Sequence, residues 1–577
     1  MDSESLTSLL FSSLEIPDER DEEEFLRCGT LRPLDHFPAV DALTRHRVAA
    51  IEQLIPAVTT SLPPAARQAL EQRRYHTFHD FSLAAKHAQP TRQEDIPYGH
   101  ATLHAAPTEA AYLAYVQSAD PDLYSFFLQR FSVGFCLRHL ERHGVIVGQS
   151  GSGKSELLVT INEQMLQLRK RLRKQGKNPG TQIIIDPHSD LATQFSRLRH
   201  FAEGEDLIYI NPFVETGGNR YNVSINPFEQ TDTREATINA KVEGLLIAFQ
   251  SIMGDEFSLS MSTLIKHCLW VLLLKPDTDI HDLLRFMDDK NNSDLVQFGC
   301  QSLPNAILRQ YFQHYFPQKK LDVTKSAIAN KLYSLLSSTS FQRFLSKGKN
   351  ALDLQALMDS RKVVVIDLNF GQMGESTGVA VGSFFFGLLY YEALRRAQLP
   401  KAARIPVYLT IDEYQNFIAK SSDTFEKILT QARKYKLFLL LAQQHLAQSD
   451  RSFLKTIRTG TAIKIAGYTS DSDENARLVQ RKPEELDQLH VGEFFLKVGR
   501  NPTFRLRASG NLIRSPENPS YMDASAWERL LQEQLQTYYQ SFETGDSSGE
   551  VVSEWREETQ ESPVSLGTST KKPLFDL

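Results

Sequence analysis

With 577 residues, 41% of them hydrophobic and 23% charged, the chain has room for two to four domains and the composition of a globular protein. A formal net charge of −6 excludes a global positive field for nucleic acid, although a basic channel inside an acidic exterior is compatible with it. Cys28, Cys136, Cys268 and Cys300 carry no CxxC spacing, which reads as buried thiols in a reducing compartment ahead of a metal or redox role.

In chain order, residues 1–30 are acidic, lack the basic run of a secretory signal, and are expected to be flexible. Residues 31–140 space their apolar positions by three and four between prolines, which predicts a small helical N-terminal domain. At 144 the rhythm changes. "GVIVG" is a short apolar strand, "SELLVTINEQMLQLRKRLRK" an amphipathic helix, and "TQIIIDPHSDL" and "DLIYINPF" are further strands. Strands alternating with helices predict an α/β fold with a mainly parallel sheet covered on both faces. This core spans 141–230 and 358–514, interrupted by an all-helical insertion at 231–357. It resumes with "KVVVIDLN", "PVYLTIDE", "LFLLLAQQ" and "TAIKIAGY", and closes with a hairpin of "GEFFLKVGR" and "PTFRLRASG". A C-terminal helix within 515–543 and a disordered tail at 544–577 follow. No run of eighteen apolar residues occurs, the nearest being "GVAVGSFFFGLLYYEAL" at 378–394, so a cytoplasmic protein without a transmembrane segment is expected.

The chemistry-bearing motif is Gly148-Gln149-Ser150-Gly151-Ser152-Gly153-Lys154-Ser155, a full G-x(4)-G-K-[ST] between a strand and a helix. Its glycines let backbone N–H groups wrap a β-phosphate, and the helix N-terminus adds partial positive charge. Lys154 is expected to reach the β- and γ-phosphates of ATP, and the Ser155 hydroxyl to ligate Mg²⁺. Hydrolysis also needs a carboxylate near the metal and another that orients water. Two strands end in Asp. "VVVIDLN" offers Asp367 followed by Leu, whereas "VYLTIDEYQNF" offers Asp412 followed by Glu413. The second supplies both groups, with Asp412 toward Mg²⁺ and Glu413 on the water. Asp367 is left as a strand-end residue near the site or in a turn. The next strand ends in Gln443-Gln444-His445, where a glutamine can contact a γ-phosphate or simply cap the strand. Arg433 is the first candidate for an arginine supplied across a subunit boundary, with Arg458 and Arg477 behind it.

The ordered set "GQSGSGKSELL", "IIIDPHSDL", "INPFE", "LTIDEYQNF" and "ARKYKLFLLLAQQHLAQ" resembles the HerA/FtsK superfamily of P-loop motors over residues 140–510. It is most similar to the HerA-like ATPases and the coupling ATPases of conjugative DNA transfer. The resemblance implies a RecA-like core, a homo-oligomeric ring, usually a hexamer, and ATP-driven movement of double-stranded DNA. A nuclease, relaxase or other partner protein would accompany it. By position, Gln444 matches the sensor glutamine, Arg433 the arginine of an "RKYGL" element, and Asp186 a "DPHGDL"-like element beside the site. This chain carries Ser189 where that element usually has glycine. Neither the small β-barrel that opens HerA proteins nor the membrane helices that open coupling proteins is expected here.

The basic stretch "LRKRLRKQGK" at 168–177 reads first as a solvated helix end and second as a DNA contact. Terminal "KKPLFDL" reads as an uninvolved tail before a docking peptide. Two rival functions stand beside the DNA motor: a secretion-type motor acting on protein, and a nucleotide-gated assembly scaffold.

Overall fold

The computed structural model describes residues 24–31, 131–203, 206–229 apart from 213 and 217–218, 232–253, 256–345, 352–417, 428–446, 451–469, 472–508 apart from 502, and 521–542. Most of the N-terminal region expected to be helical, the acidic first residues and the expected tail lie outside them. Fourteen strands are labelled here in chain order: β1 Phe25–Leu31, β2 Phe131–Cys136, β3 Gly144–Val147, β4 Thr181–Asp186, β5 Leu207–Ile210, β6 Val214–Thr216, β7 Asn219–Asn222, β8 Val363–Asp367, β9 Val407–Ile411, β10 Leu437–Gln443, β11 Ile463–Gly467, β12 Glu493–Val498, β13 Phe504–Ala508 and β14 Gln540–Phe542. Eight helices carry the argument: α1 Lys154–Lys174, α2 Asp190–Ser196, α3 Glu235–Met253, α4 Leu259–Leu274, α5 Asp322–Leu336, α6 Glu375–Arg395, α7 Arg451–Gly460 and α8 Ala524–Tyr538.

Eleven of these strands form one sheet in the order β2-β1-β13-β12-β11-β3-β10-β9-β4-β8-β5. From β11 to β5 every pairing is parallel, and from β12 to β2 every pairing is antiparallel. The parallel strands β3, β4, β8, β9 and β10 are buried at every position, as their uninterrupted apolar runs require when helices cover both faces. Alternate residues divide between those faces. Ile146, Ile184, Val365 and Leu440 pack on the α1 and α2 side, while Val145, Ile185, Ile366 and Leu441 pack against α3, α4 and α6.

Two strands depart from the sequence-based expectation. Residues 25–31, expected at the end of a flexible run, form β1, and residues 131–136, expected to be helical, form β2. The two pair with each other and extend the hairpin β12–β13. "FLRCGTL" and "FSVGFC" are β-prone but too short to stand out from their flanks, and only the waiting edge of β13 makes them strands. Cys28 on β1, Cys136 on β2 and Cys268 inside α4 are buried cysteines in no disulfide.

Between β7 and β8 the described elements are all helical, from α3 to the short helix Leu354–Asp359. Glycines let α3 and α6 touch: a Cβ at Gly244 would stand 2.6 Å from the carbonyl oxygen of Gly387, and a Cβ at Gly387 would press on the carbonyl of Gly244. Helix Glu375–Gln398 is long and apolar enough to cross a membrane by length and composition, yet 83% of its apolar window is buried against other parts of the chain. It is a core helix.

The outer edge of β5 is closed by side chains instead of a strand. Gln534 of α8 donates from Nε2 to Leu207 O (3.1 Å) and accepts the Tyr209 N–H on Oε1 (3.0 Å). The Tyr539 hydroxyl donates to Tyr209 O (2.9 Å) and accepts the Asn211 N–H (2.8 Å). Trp527, edge-on to Tyr209, anchors α8, and β14 then pairs with β7. An open edge strand is a template for unwanted pairing, and these two residues occupy its outward-facing groups.

At the other end of the strands, His143 ties β3, β10 and β11 together. It is buried with φ of 62°, its Nδ1 accepts the Leu439 N–H (3.0 Å) and its Nε2–H donates to Leu429 O (2.8 Å). Its carbonyl accepts the N–H groups of Ala462 and Ile463. Burial pushes the imidazole down from 6.5 to about 4, and protonating Nδ1 would also break its bond to Leu439. The folded pKa is depressed, so the unfolded chain binds the extra proton between about 4 and 6.5, and stability falls as pH drops through that window. At about 1.4 kcal/mol per pH unit the expected loss is about 3 kcal/mol. Urea unfolding of wild type and His143→Gln at pH 4.5 and 7 checks this: the variant, which cannot titrate, should lose the dependence that this window contributes.

Candidate nucleotide site

The loop 148–153 leaves β3 at the C-terminal edge of the parallel strands, where crossovers in such sheets open a crevice. Gly151 and Gly153 have φ of 81° and 91°, conformations that non-glycine residues adopt at a cost, and Gly153 is the N-cap of α1. The loop is held from three sides. Gly148 N–H donates to Gln443 O (3.2 Å), Gln149 N–H to Tyr468 O (3.0 Å), and Gly492 N–H to Ser152 O (2.8 Å). Gly492 lies so close beneath the loop that a Cβ at Gly153 would sit 3.0 Å from its Cα. Ser152 is buried with its Oγ unpartnered.

Lys154, the first residue of α1, is buried between the two carboxylates expected to serve hydrolysis. Its Nζ donates to Asp412 Oδ1 at 2.7 Å and to Glu413 Oε1 in a short contact. Burial works against the ammonium, but Asp412 and Glu413 outweigh it and raise its pKa. For Glu413, burial is likewise opposed by Lys154, Gln415 and Gln444, which together hold the carboxyl below its usual value. Asp412 is buried too, and desolvation raises its pKa despite Lys154. Glu413 adopts a left-handed backbone, φ 45° and ψ 47°, which turns the chain sharply after β9 and folds Gln415 back toward it. The Gln415 amide donates to Glu413 Oε2 (2.6 Å) and the Gln444 amide to Oε1 (3.1 Å). Gln444 thus lies one strand from the Asp-Glu pair, because β10 separates β9 from β3. Gln443 is buried beside it with an unpartnered Nε2.

Asp186 ends β4 and is buried. Its carboxylate accepts the Ala192 N–H (2.8 Å) and the His188 N–H (3.0 Å), so it closes the turn into α2. Burial above all raises it to about 7, with the charges of Asp412 and Asp367 adding. Ser189 has φ of 69°, the conformation its usual glycine counterpart would adopt freely, and its Oγ donates to Asp367 Oδ1 (2.6 Å). Asp367 also accepts from the Tyr209 hydroxyl (2.5 Å) and from Asn211 Nδ2 (3.3 Å). That explains its place at a strand end: it anchors the β4–α2 turn and touches none of the Lys154 cluster in a described hydrogen bond.

The arginines divide differently. Arg433 is exposed in the turn before β10, at the opposite edge of the sheet from the loop, so it stands outside its own chain's site. Arg458 and Arg477 both pair with Glu474. Much of the basic end of α1 is structural. Arg169 is buried and donates to Gly180 O (2.6 Å) and Arg361 O (2.6 Å), Arg173 donates to Arg361 O (2.9 Å), and Lys170 reaches His200 (2.8 Å).

No group of three or more His, Cys, Asp or Glu among the described residues could by itself hold a metal. Mg²⁺ does not require one: it takes one or two protein ligands and completes its shell with waters and phosphate oxygens. Ser155 on the first turn of α1 and Asp412 fit that pattern, and the cradle of positive-φ glycines with an unpartnered Ser152 Oγ fits a phosphate.

A phosphate-loop strand, a buried lysine at its helix and an Asp-Glu strand beyond the intervening glutamine strand are the parts of a P-loop fold with a RecA-like sheet. Residues 128–385 match the family described as "Helicase HerA, central domain". Among solved structures it is similar to the plasmid coupling protein TrwB in complex with ADP and Mg²⁺, at 16% identity over 68% of this chain and 91% of that one, TM-score 0.46. It is also similar to VirB4 of Thermoanaerobacter pseudethanolicus, at 14% identity over 65% and 90%, TM-score 0.40. No curated protein matches the chain.

Sequence reasoning missed Gln415, Gly492 and the glycine crossing of α3 and α6. Only Gln415 carried a signal, an amide two residues beyond Glu413, the glutamate expected to orient water.

Proposed function

We propose that the chain is a Mg²⁺-dependent ATPase that works as a ring motor on double-stranded DNA. The observation that carries the ATPase part is the meeting of Lys154, Asp412, Glu413 and Gln444 at the mouth of the phosphate loop. Mg²⁺ bound with ATP supplies charge neutralisation at the phosphates. The residues of this chain do the rest. The loop N–H groups and Lys154 Nζ would bind and orient the phosphates, the Ser155 hydroxyl and Asp412 would hold the metal, and a Glu413 carboxylate oxygen would orient the attacking water. Gln444, which donates to Glu413, would link that carboxylate to the phosphate end. Arg433, exposed and remote from its own site, is available to a neighbour's site across a ring interface.

The DNA cargo rests on the HerA relationship. With Arg169 and Arg173 donating to backbone carbonyls, DNA contact falls to other cations, and a grip on backbone phosphates would weaken with salt. Steady-state ATP turnover with and without linear duplex DNA, at low and high salt, tests this. DNA should raise the rate, and high salt should remove the increase. A rate that DNA never changes and that a secreted protein substrate raises would overturn the DNA reading in favour of a protein-moving ATPase. The mass of the assembly with ATP tests the expected ring of six.

A further inference from the structure

We propose that Gln415 is a positioning residue for the water-orienting carboxylate, holding Oε2 of Glu413 while Lys154 and Gln444 hold Oε1. The inference rests on the reading of Glu413 given above. The two oxygens of this carboxylate have different partners: Oε1 takes the ammonium of Lys154 and the amide of Gln444, and Oε2 takes the Gln415 amide at 2.6 Å. A point-charge ammonium and one amide hold Oε1 alone, so without a further partner the carboxylate could rotate about its Cγ–Cδ bond. The Gln415 donor opposes that rotation and keeps the Oε2 edge turned away from Lys154.

The turn that carries Gln415 is itself held rigidly. Asn416 N–H donates to Glu413 O (3.0 Å) and Phe417 N–H to Tyr414 O (3.0 Å), closing a single 3₁₀ turn directly after Glu413. Tyr414 and Phe417 are buried on the core side of that turn, with Phe417 edge-on to Phe370. Gln415, half-buried between them in sequence, is left facing the carboxylate. A donor mounted on a rigid turn fixes its acceptor at little entropic cost, which is the requirement for a water-orienting group.

Gln415→Met keeps the length and removes the donor. In the full chain, kcat for ATP should fall between about 10- and 100-fold, with KM for ATP changed by less than about twofold, because positioning and not binding is lost. The effect should disappear in a Glu413→Gln background, where the residual rate should be the same with Gln or Met at 415. Urea unfolding of Gln415→Met should match wild type, separating the loss from a folding defect. Unchanged kcat in Gln415→Met while Glu413→Gln is inactive would overturn the inference and leave the ATPase reading standing. So would an effect confined to KM, or one of equal size in both backgrounds. Full turnover by Glu413→Gln itself would instead sink the reading of Glu413 on which the inference rests.

Discussion

Lys154→Ala is expected to lower ATP turnover by about 10³-fold or more, the scale on which preorganised charge at a reacting phosphate acts. It should also destabilise the fold, which a lysine serving only a ligand would not do. Asp412 and Glu413 are both buried, and both face this one ammonium. Removing it leaves two adjacent carboxylates without their cation, and breaking a buried pair from one side costs about 3–5 kcal/mol. Glu413→Gln provides the contrast. It removes one of the two like charges while keeping an amide to meet Lys154, so turnover should fall comparably with little change in unfolding midpoint. Parallel measurement of turnover and urea unfolding in the two variants checks both statements. Equal stability of Lys154→Ala and wild type would show that the ion-pair cluster does not hold the strand ends together.

Gly387→Val is expected to cost about 3 kcal/mol of folding stability, at the upper end for overpacking, because the side chain has no space to enter. The obstacle is the carbonyl of Gly244 on the facing helix, which is backbone and cannot rotate away. Gly387→Ala gives the sharper sign test. Inside a helix, alanine is favoured over glycine by about 1 kcal/mol, so an isolated helix would be stabilised. Here the single Cβ already meets the Gly244 carbonyl, and the net effect should be destabilising. Denaturant midpoints at unchanged m-value would report it. A stabilised Gly387→Ala would mean that the helices can move apart freely.

The nucleotide loop, the Asp-Glu strand end and the glutamine strand were legible in the amino-acid sequence because each combines a local pattern with a local consequence. Gly151 and Gly153 allow positive φ, the apolar run of β9 ends where its two acids begin, and β10 ends where Gln443 and Gln444 begin. Burial of whole parallel strands follows from their continuous Val, Ile and Leu runs. The alternation of strands and helices likewise sets the α/β class. Even the choice of Asp412 over Asp367 came from adjacent residues, since only one of the two strands supplies a second carboxylate.

Other features depend on neighbours distant in the chain, and no local pattern encodes them. Strands β1 and β2 exist because β13 offers an edge more than 370 residues after β2 begins. Arg169 reads as one of six cations in a basic run, but the carbonyls of Gly180 and Arg361 converge on it and make it a buried tie. Arg433 stands apart from its own loop because β10 is long enough to separate its two ends. Gln415 acquires its partner only when the left-handed turn at Glu413 folds it back. Local preference is a property of a few adjacent residues, whereas burial, hydrogen-bond partners and the distance between charges are set by which strands and helices meet. The sequence by itself therefore determined the chemistry this chain can bring to a nucleotide, and the tertiary structure decided which of its charged and amide side chains actually face that chemistry.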